Sequence, residues 1–289
     1  MGDVYAVVNQ KGGVGKTTTS INLAACAALD GKRVLLVDLD AQGNATSGAG
    51  VDRSALTASM FDVMTASDPG ESAELLHHII APTNVVGLDV APATIDLAGS
   101  DLSLANSIAR EMRLSRALAE VREEYDITLI DTGPSLGILT INALAAADWV
   151  IVPIQCEYYA LEGLSQLLQV IDLVRSQLNP DLRLAGAILT MFDARTRLSF
   201  EVAEEVRANF PGRVYDRLIP RNVRLAEAPS YGQPVVVYDP TCAGAQAYQQ
   251  VYEEMFADES ARTGARPVGV DIVNEDAESG DIAGRGGSD

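Results

Sequence analysis

The densest group of chemically useful residues lies near the N-terminus, where glycines, lysines and threonines stand together. It reads Lys11-Gly12-Gly13-Val14-Gly15-Lys16-Thr17-Thr18 and follows an apolar run at residues 4–9. Glycine lets backbone N–H groups turn inward around phosphate oxygens, and the N-terminal end of a following helix adds positive potential. Lysine and threonine supply the ammonium and hydroxyl groups that bind phosphate and Mg²⁺. The segment therefore predicts a cradle for nucleotide phosphates.

The ordinary phosphate-binding loop follows the pattern G-x-x-x-x-G-K-[ST], and this chain departs from it. When the pattern is aligned on the Gly-Lys-Thr triplet, its first glycine falls on Gln10, and Lys11 comes next. The physical requirements are still met by the remaining residues. We expect Lys16 to reach the β- and γ-phosphates, Thr17 to ligate Mg²⁺ and Thr18 to bind the α-phosphate.

Strand-like and helical segments alternate along the chain. Strands are predicted at residues 4–9, 33–39, 85–90, 127–131, 149–153, 184–190 and 214–219, and helices at 17–29, 106–124, 161–178, 200–209 and 244–256. This alternation predicts an α/β fold with a doubly wound, mostly parallel sheet and helices on both faces. Such sheets bind ligands beyond the carboxyl ends of their strands. The residues at or just beyond predicted strand ends are Gly12, Asp40, Asp131 and Pro153.

The composition is strongly acidic and poor in lysine. Forty acidic residues face 21 basic ones, of which only three are lysine, so the net charge is −19. Screening at molar salt removes the self-repulsion of such a surface, which predicts a halophilic protein. The alternative is an ordinary acidic protein from a GC-rich genome, and melting in graded KCl separates the two.

One domain is predicted over residues 1–257, followed at 258–289 by an acidic, Gly- and Ser-rich tail that we expect to be disordered. No apolar run reaches the roughly 18 residues needed to cross a bilayer, and the N-terminus does not resemble a secretion signal. We therefore expect a cytoplasmic protein. Its three scattered cysteines argue against a zinc site, an iron–sulfur site or a disulfide framework.

Further motifs accompany the loop. They read DLDAQGNAT from residue 38, DTGPSLG from 131, PIQCEYYALEG from 153, MFDARTR from 191 and IPRNVRLAEAP from 219. With these motifs, the chain resembles the ParA/MinD superfamily of deviant Walker A P-loop NTPases, and within it the Soj branch of chromosome-partitioning ATPases. The resemblance covers nearly all of residues 1–257. Ala41 and Gly133 depart from it, because each stands where the family usually has proline.

The resemblance implies a slow ATPase that requires Mg²⁺ and forms a homodimer when ATP is bound. By position, Lys11 would cross the dimer interface to the partner's nucleotide. Asp40 would orient the attacking water, and Asp131, after a buried strand, would act as the Walker B carboxylate. Thr17, Asp40 and Asp131 would lie nearest the metal. Residues Met191, Pro220 and Asn222 would surround the base, and Asp38 is either structural or a supporting neighbour of the site.

The resemblance also implies non-specific DNA binding by the ATP-bound dimer, stimulation by a ParB-like partner, and association with the nucleoid. The matching basic positions are Arg195 and Arg224, with Arg197 and Arg221 as neighbours. Eight arginines and five acidic residues lie between residues 183 and 224, a basic stretch in an acidic chain. The alternative is that these arginines pair with surface carboxylates.

Three rival functions remain open. A membrane-cycling, MinD-like ATPase needs a basic amphipathic helix near its C-terminus, and residues 262–273 do not form one, so no membrane partner is expected. A cluster-carrying, nitrogenase-reductase-like role needs paired cysteines. A cargo-positioning ATPase that moves a protein assembly rather than a chromosome or plasmid is barely separable by sequence.

Overall fold

The computed structural model describes residues 2–158 and 163–256, and within them seven strands form one sheet. In chain order the strands are β1 (Asp3–Val7), β2 (Val34–Leu39), β3 (Ala81–Pro82), β4 (Leu88–Ala91), β5 (Ile127–Thr132), β6 (Trp149–Gln155) and β7 (Arg183–Thr190). Their order across the sheet is β3-β4-β2-β5-β1-β6-β7. All neighbours run parallel except the short β3, which is antiparallel to β4. The predicted doubly wound, mostly parallel sheet is confirmed.

Twelve α-helices accompany these strands in the described residues, and the last four follow β7. They are α1 (Lys16–Leu29), α2 (Asn44–Gly48), α3 (Met60–Thr65), α4 (Pro69–Ile79), α5 (Ser100–Leu104), α6 (Arg113–Val121), α7 (Ile138–Ala146), α8 (Leu164–Gln177), α9 (Arg197–Asn209), α10 (Val223–Glu227), α11 (Val235–Tyr238) and α12 (Ala243–Phe256). The sequence reading missed α2 to α5, α7, α10 and α11. The tail predicted at 258–289 and the first residues of the helix predicted at 161–178 lie outside the described residues.

The sheet separates two hydrophobic cores. Successive side chains of a strand point to opposite faces, so Val4 and Ala6 of β1 enter one core while Tyr5 and Val7 enter the other. Helices α3, α4 and α6 to α9 cover the first face, and α1, α11 and α12 cover the second. Because β4, β2, β5, β1, β6 and β7 run parallel, their carboxyl ends lie together at one end of the sheet, where such folds bind ligands.

Two predicted elements need correction. The strand predicted at 214–219 is wrong, because only isolated bridges form, from Val214 to Ala187 and from Pro220 to Phe192. The consecutive residues 216 and 217 are both exposed, which breaks the alternation that a strand requires. The helix predicted at 106–124 is regular only over α6. It begins after a 3₁₀ turn that follows Ala109, whose φ of 51° is left-handed.

Candidate nucleotide site and arginine surface

The glycine-rich loop lies between β1 and α1, as the sequence predicts. Gly13 and Gly15 have φ angles of 74° and 90°, which glycine adopts without strain, and α1 begins directly afterwards at Lys16. The Lys16 side chain is only 6% exposed, and its Nζ donates to the Lys11 carbonyl oxygen at 3.1 Å. Burial lowers the pKa of Lys16, while the carboxylates of Asp131 and Asp40 act in the opposite direction.

Side chains from neighbouring strands hold this loop in place. Thr190, at the end of β7, donates its hydroxyl to the Val14 carbonyl at 2.8 Å. Asn9 donates to the Pro153 carbonyl at 2.7 Å and accepts from the Lys11 N–H at 2.9 Å. The loop is therefore fixed from both sides before any ligand binds. Sequence reasoning missed Thr190 and Asn9, because neither belongs to the glycine pattern.

Two buried carboxylates stand side by side beneath the loop. Asp38 on β2 and Asp131 on β5 are register partners, and both are completely buried. Burial is the first cause of their raised pKa values, and the charge of Asp38 raises the pKa of Asp131 further. Two such carboxyls at neutral pH call for a nearby positive charge, and Lys16 supplies one.

The hydrogen bonds of the two carboxylates differ. Asp131 accepts from the Ser20 hydroxyl at 2.9 Å through Oδ1, whereas its buried Oδ2 has no hydrogen-bond partner among the described residues. A buried, unpaired carboxylate oxygen is costly unless a ligand satisfies it. An oxygen donor of this kind fits Mg²⁺ or a water bound to it. The Thr17 side chain, on the first turn of α1, lies beside the same carboxyl group and lowers the pKa of Asp131.

Asp40 lies half-buried just beyond the end of β2, and its Oδ1 accepts from the Gln42 N–H at 3.0 Å. A Cβ placed on Gly133 would lie 3.4 Å from that oxygen. A cavity of about 220 Å³ opens beside it, lined by Asp40, Ala41, Gly133 and Ser135 among others. Both departures from the family pattern therefore border the Asp40 carboxylate, and Gly133 leaves that carboxylate more room than a larger residue would.

A second cavity, of about 240 Å³, opens on the other side of the loop. Its walls include the three residues predicted to surround the base, together with Gly15 and Thr18 of the loop. Met191 holds a left-handed φ of 52°, and Asn222 caps α10 by accepting from the Arg224 N–H at 2.8 Å. Sequence reasoning missed Tyr248, which also lines this cavity and whose hydroxyl lies 3.1 Å from that of Thr19.

The four arginines predicted to contact DNA are exposed, and each one is paired with a carboxylate. The pairs are Arg195 with Asp193 (2.7 Å), Arg197 with Glu201 (2.6 Å), Arg221 with Glu157 (3.0 Å), and Arg224 with Glu227 (2.8 Å) and Asp239 (3.4 Å). We call these four residues the arginine surface. The sequence left open that these arginines pair with surface carboxylates, and in the structure they do. Arg195 and Arg221 also line a groove shared with Lys11.

Comparison with known proteins agrees with the geometry of the loop and carboxylates. A family model described as an AAA domain matches residues 2–184. The sporulation initiation inhibitor protein Soj of Bacillus subtilis is 54% identical over 257 residues, which cover 89% of this chain and 99% of that protein. The chain belongs to the Soj/ParA family of chromosome-partitioning ATPases. The Soj/ParA relatives also include chromosome partitioning protein ParA of Myxococcus xanthus, 48% identical over 93% of both chains.

Solved structures share the fold of this Soj/ParA chain. Cobyrinic acid a,c-diamide synthase from Mycobacterium smegmatis, with bound ADP and magnesium, has a TM-score of 0.78 and 37% identity, covering 92% of this chain and 98% of that one. The cell division ATPase MinD of Pyrococcus furiosus has a TM-score of 0.70 and 25% identity, covering 88% and 98%. Among the described residues, no helix combines the length and the hydropathy needed to span a bilayer.

Proposed function

We propose that this Soj/ParA chain binds MgATP, closes into a homodimer, holds DNA without sequence preference, and releases it when a ParB-like partner stimulates hydrolysis. One observation carries the nucleotide part of the proposal. The buried Lys16 ammonium and the buried Asp131 carboxyl interact electrostatically beside a glycine loop whose backbone is already fixed. That combination fits a polyphosphate with a divalent cation, and it occurs in a chain more than half identical to Soj.

In this proposal the phosphates lie in the loop at residues 11–18. Backbone N–H groups of Gly12, Gly13, Val14 and Gly15 face the phosphate oxygens, Lys16 binds the β- and γ-phosphates, and Thr18 binds the α-phosphate. Adenine occupies the 240 Å³ cavity against Met191, Pro220 and Asn222. Gly15 and Thr18 of the loop also line this cavity, which supports a nucleotide that extends from the loop into it.

Thr17 and Asp131 would hold the magnesium ion, and Asp40 would lie near it. Magnesium, when bound, neutralises charge on the phosphate oxygens. The half-buried Asp40 carboxylate orients the attacking water, because it is the acidic group at the free end of β2 beside an open cavity. Lys11 completes the site of the partner subunit, where a cation supplied in trans stabilises charge on the transferred phosphoryl group.

DNA binding is assigned to the arginine surface. The local excess of arginine supports this assignment, and the carboxylate partners weaken it, because a phosphate must displace them. If a dimer neutralises about four phosphates, log K falls by roughly 3.6 per decade of salt. Binding in molar salt would then need many dimers acting together or contacts that salt does not screen. The ATP-bound dimer would be associated with the nucleoid in the cytoplasm.

A single panel of variants tests this function. Light scattering should show an ATP-dependent dimer for the wild type, none for Lys11→Ala, and a long-lived ATP dimer for Asp40→Ala. Arg195→Ala combined with Arg224→Ala should dimerise normally but lose DNA retention. A dimer of Asp40→Ala without nucleotide would contradict the role assigned to Asp40. Unchanged DNA retention by the arginine variant would contradict the assignment of DNA binding to the arginine surface.

Flotation with vesicles tests the membrane-cycling alternative. We expect no ATP-dependent binding to the vesicles, and binding would favour that alternative.

A further inference from the structure

Asp38 makes a set of contacts that the nucleotide site does not explain. Its Oδ1 accepts from the Asp40 N–H at 3.1 Å, and its Oδ2 accepts from the N–H and the hydroxyl of Thr46 at 2.8 and 2.7 Å. Both oxygens of this buried carboxylate are thus directed at one short segment, residues 40–46. We call that segment the Asp40 loop. Asp131, its register partner, makes no hydrogen bond to this loop among the described residues, and its Oδ2 has no hydrogen-bond partner there.

Thr46 extends these contacts to the chain that follows β4, the strand next to β2. Its hydroxyl, which donates to Asp38, also accepts from the N–H of Ala93, just beyond β4, at 2.9 Å. Thr46 is itself completely buried. One threonine hydroxyl therefore joins the carboxylate on β2 to the backbone that follows β4, and the Asp40 loop lies between them.

The upper side of the Asp40 loop is held as well. Gly43 has a φ of 62°, and a Cβ there would lie 2.6 Å from the Arg53 guanidinium and 3.0 Å from the Ala93 carbonyl oxygen. Arg53 also donates to the Gln42 carbonyl at 2.7 Å. The Asp40 loop is therefore held by Asp38 at Asp40 and Thr46, and by Arg53 at Gln42. The residues that hold it do not line the 220 Å³ cavity.

We propose that Asp38 and Thr46 are positioning residues for hydrolysis, which hold the Asp40 loop so that the Asp40 carboxylate faces the attacking water. The inference rests on the water-orienting role proposed above for Asp40. It assigns different tasks to the two buried carboxylates. Asp131 has one oxygen available for the metal. Both oxygens of Asp38 instead accept hydrogen bonds from the Asp40 loop. A misplacement of about 1 Å in a catalytic group can cost on the order of 100-fold in rate.

The test removes the Thr46 hydroxyl with little change in volume. In Thr46→Val, Asp38 loses one donor and the Ala93 N–H loses its acceptor, whereas Thr46→Ser keeps the hydroxyl. We expect Thr46→Val to lower the single-turnover rate of hydrolysis by about 10- to 100-fold, with an unchanged dissociation constant for MgATP. Thr46→Ser should restore most of the rate. Thr65→Val is the matched control, because the Thr65 hydroxyl bonds only within α3, to the Phe61 carbonyl at 2.7 Å.

Hydrogen exchange measured by NMR on the nucleotide-free protein gives a readout independent of turnover. The amides of Asp40 and Ala93 should exchange faster in Thr46→Val and at the wild-type rate in Thr46→Ser and Thr65→Val. A merely structural role would lower the melting temperature of Thr46→Val without this pattern and without a loss of rate beyond that of Thr65→Val. That result would overturn the inference.

A double variant separates the two proposals. If Thr46 acts through Asp40, Thr46→Val should have no further effect on hydrolysis in the Asp40→Ala background. An equal loss in both backgrounds would show that Thr46 does not act through Asp40. If Asp40→Ala alone hydrolyses ATP at the wild-type rate, the role proposed for Asp40 fails, whereas the exchange pattern still reports whether Asp38 and Thr46 hold the loop.

Discussion

The nucleotide cradle and the arginine surface are both built from charged groups, but the structure prepares them differently. In the cradle, Lys16 and Asp131 are buried, and the loop around them is fixed by Thr190 and Asn9. On the arginine surface the guanidinium groups are exposed and already bound to carboxylates of the same chain. The cradle is therefore held in place within one chain before a ligand binds, whereas the arginine surface has to exchange its carboxylate partners for phosphates.

This difference has an energetic consequence. Buried charges interact strongly and are scarcely screened by salt, whereas exposed pairs contribute little and are screened within about 10 Å at 0.1 M ionic strength. A change in the cradle should thus have large effects that persist in salt. A change on the arginine surface should have smaller effects that depend on salt. The following predictions test that contrast, beginning with the largest expected effect.

Loss of the buried lysine should break the cradle. In Lys16→Ala, Asp131 and Asp40 lose the nearest cation and the phosphates lose a ligand, so ATP turnover should fall by about 10²- to 10³-fold or more at both low and molar salt. Calorimetry with MgATP should show weakened binding in parallel. Lys32→Ala is the control, because Lys32 is the one lysine outside the cradle and should behave as wild type. ATP turnover of Lys16→Ala within a few-fold of wild type would contradict the large effect expected for a buried charge in the cradle.

The buried carboxylates predict a second effect, on stability against pH. The pKa of Asp131 is raised to about 8 by burial and by Asp38, so the folded state binds a proton more tightly than the unfolded chain, whose aspartates titrate near 4. In the absence of Mg²⁺, the free energy of unfolding should therefore fall as pH rises from about 4 to about 8.

Denaturant melts in EDTA at several pH values measure this slope. Asp131→Asn should flatten it, because the amide does not titrate in this range, whereas Asn in place of the exposed Asp181 should leave it unchanged. A slope of equal size in wild type and Asp131→Asn would mean that another group carries the pH dependence.

The positions of the glycine loop and of Asp131 in the fold could be predicted from the sequence, because they depend on local features. Glycines at fixed spacing before a helix predict the loop, and a carboxylate at the end of an apolar strand predicts Asp131, whatever the rest of the chain does. The residues suggested for the base by family resemblance, Met191, Pro220 and Asn222, also line one cavity, although nothing in their spacing alone indicates it.

Other features could not be predicted, because they depend on contacts between distant strands. Thr190 reaches Val14 across 176 positions of the chain, and Thr46 reaches Ala93 across 47. Neither threonine differs in local sequence from threonines that only face solvent. The strand predicted at 214–219 failed for a related reason. Tyr215 and Ile219 each donate one backbone hydrogen bond to β7, but the chain between them turns outward, and hydrophobicity at two positions does not reveal that.

The smallest expected effect concerns the partner exchange on the arginine surface. Asp193 is held by two hydrogen bonds from the Arg195 guanidinium, at 2.9 and 2.7 Å, which keep the pKa of Asp193 well below its usual range. Asp193→Asn removes the charge, and the amide oxygen can still accept from the Arg195 N–H, so the turn is kept. Arg195 is then freer to bind phosphate. The ATP-bound dimer should hold DNA about two- to five-fold more tightly at low salt.

Salt titrations of DNA binding test whether Asp193 competes with DNA phosphates for Arg195. The gain from Asp193→Asn should shrink toward molar KCl, since both the lost pair and the new phosphate contact are exposed and screened. Glu201→Gln is the matched control. It releases Arg197 from a more exposed pair, in which Glu201 is 57% exposed against 20% for Asp193, so its gain should be smaller. A gain that persists in molar salt, or a loss of DNA affinity in Asp193→Asn, would show that Asp193 supports the DNA surface and does not compete for it.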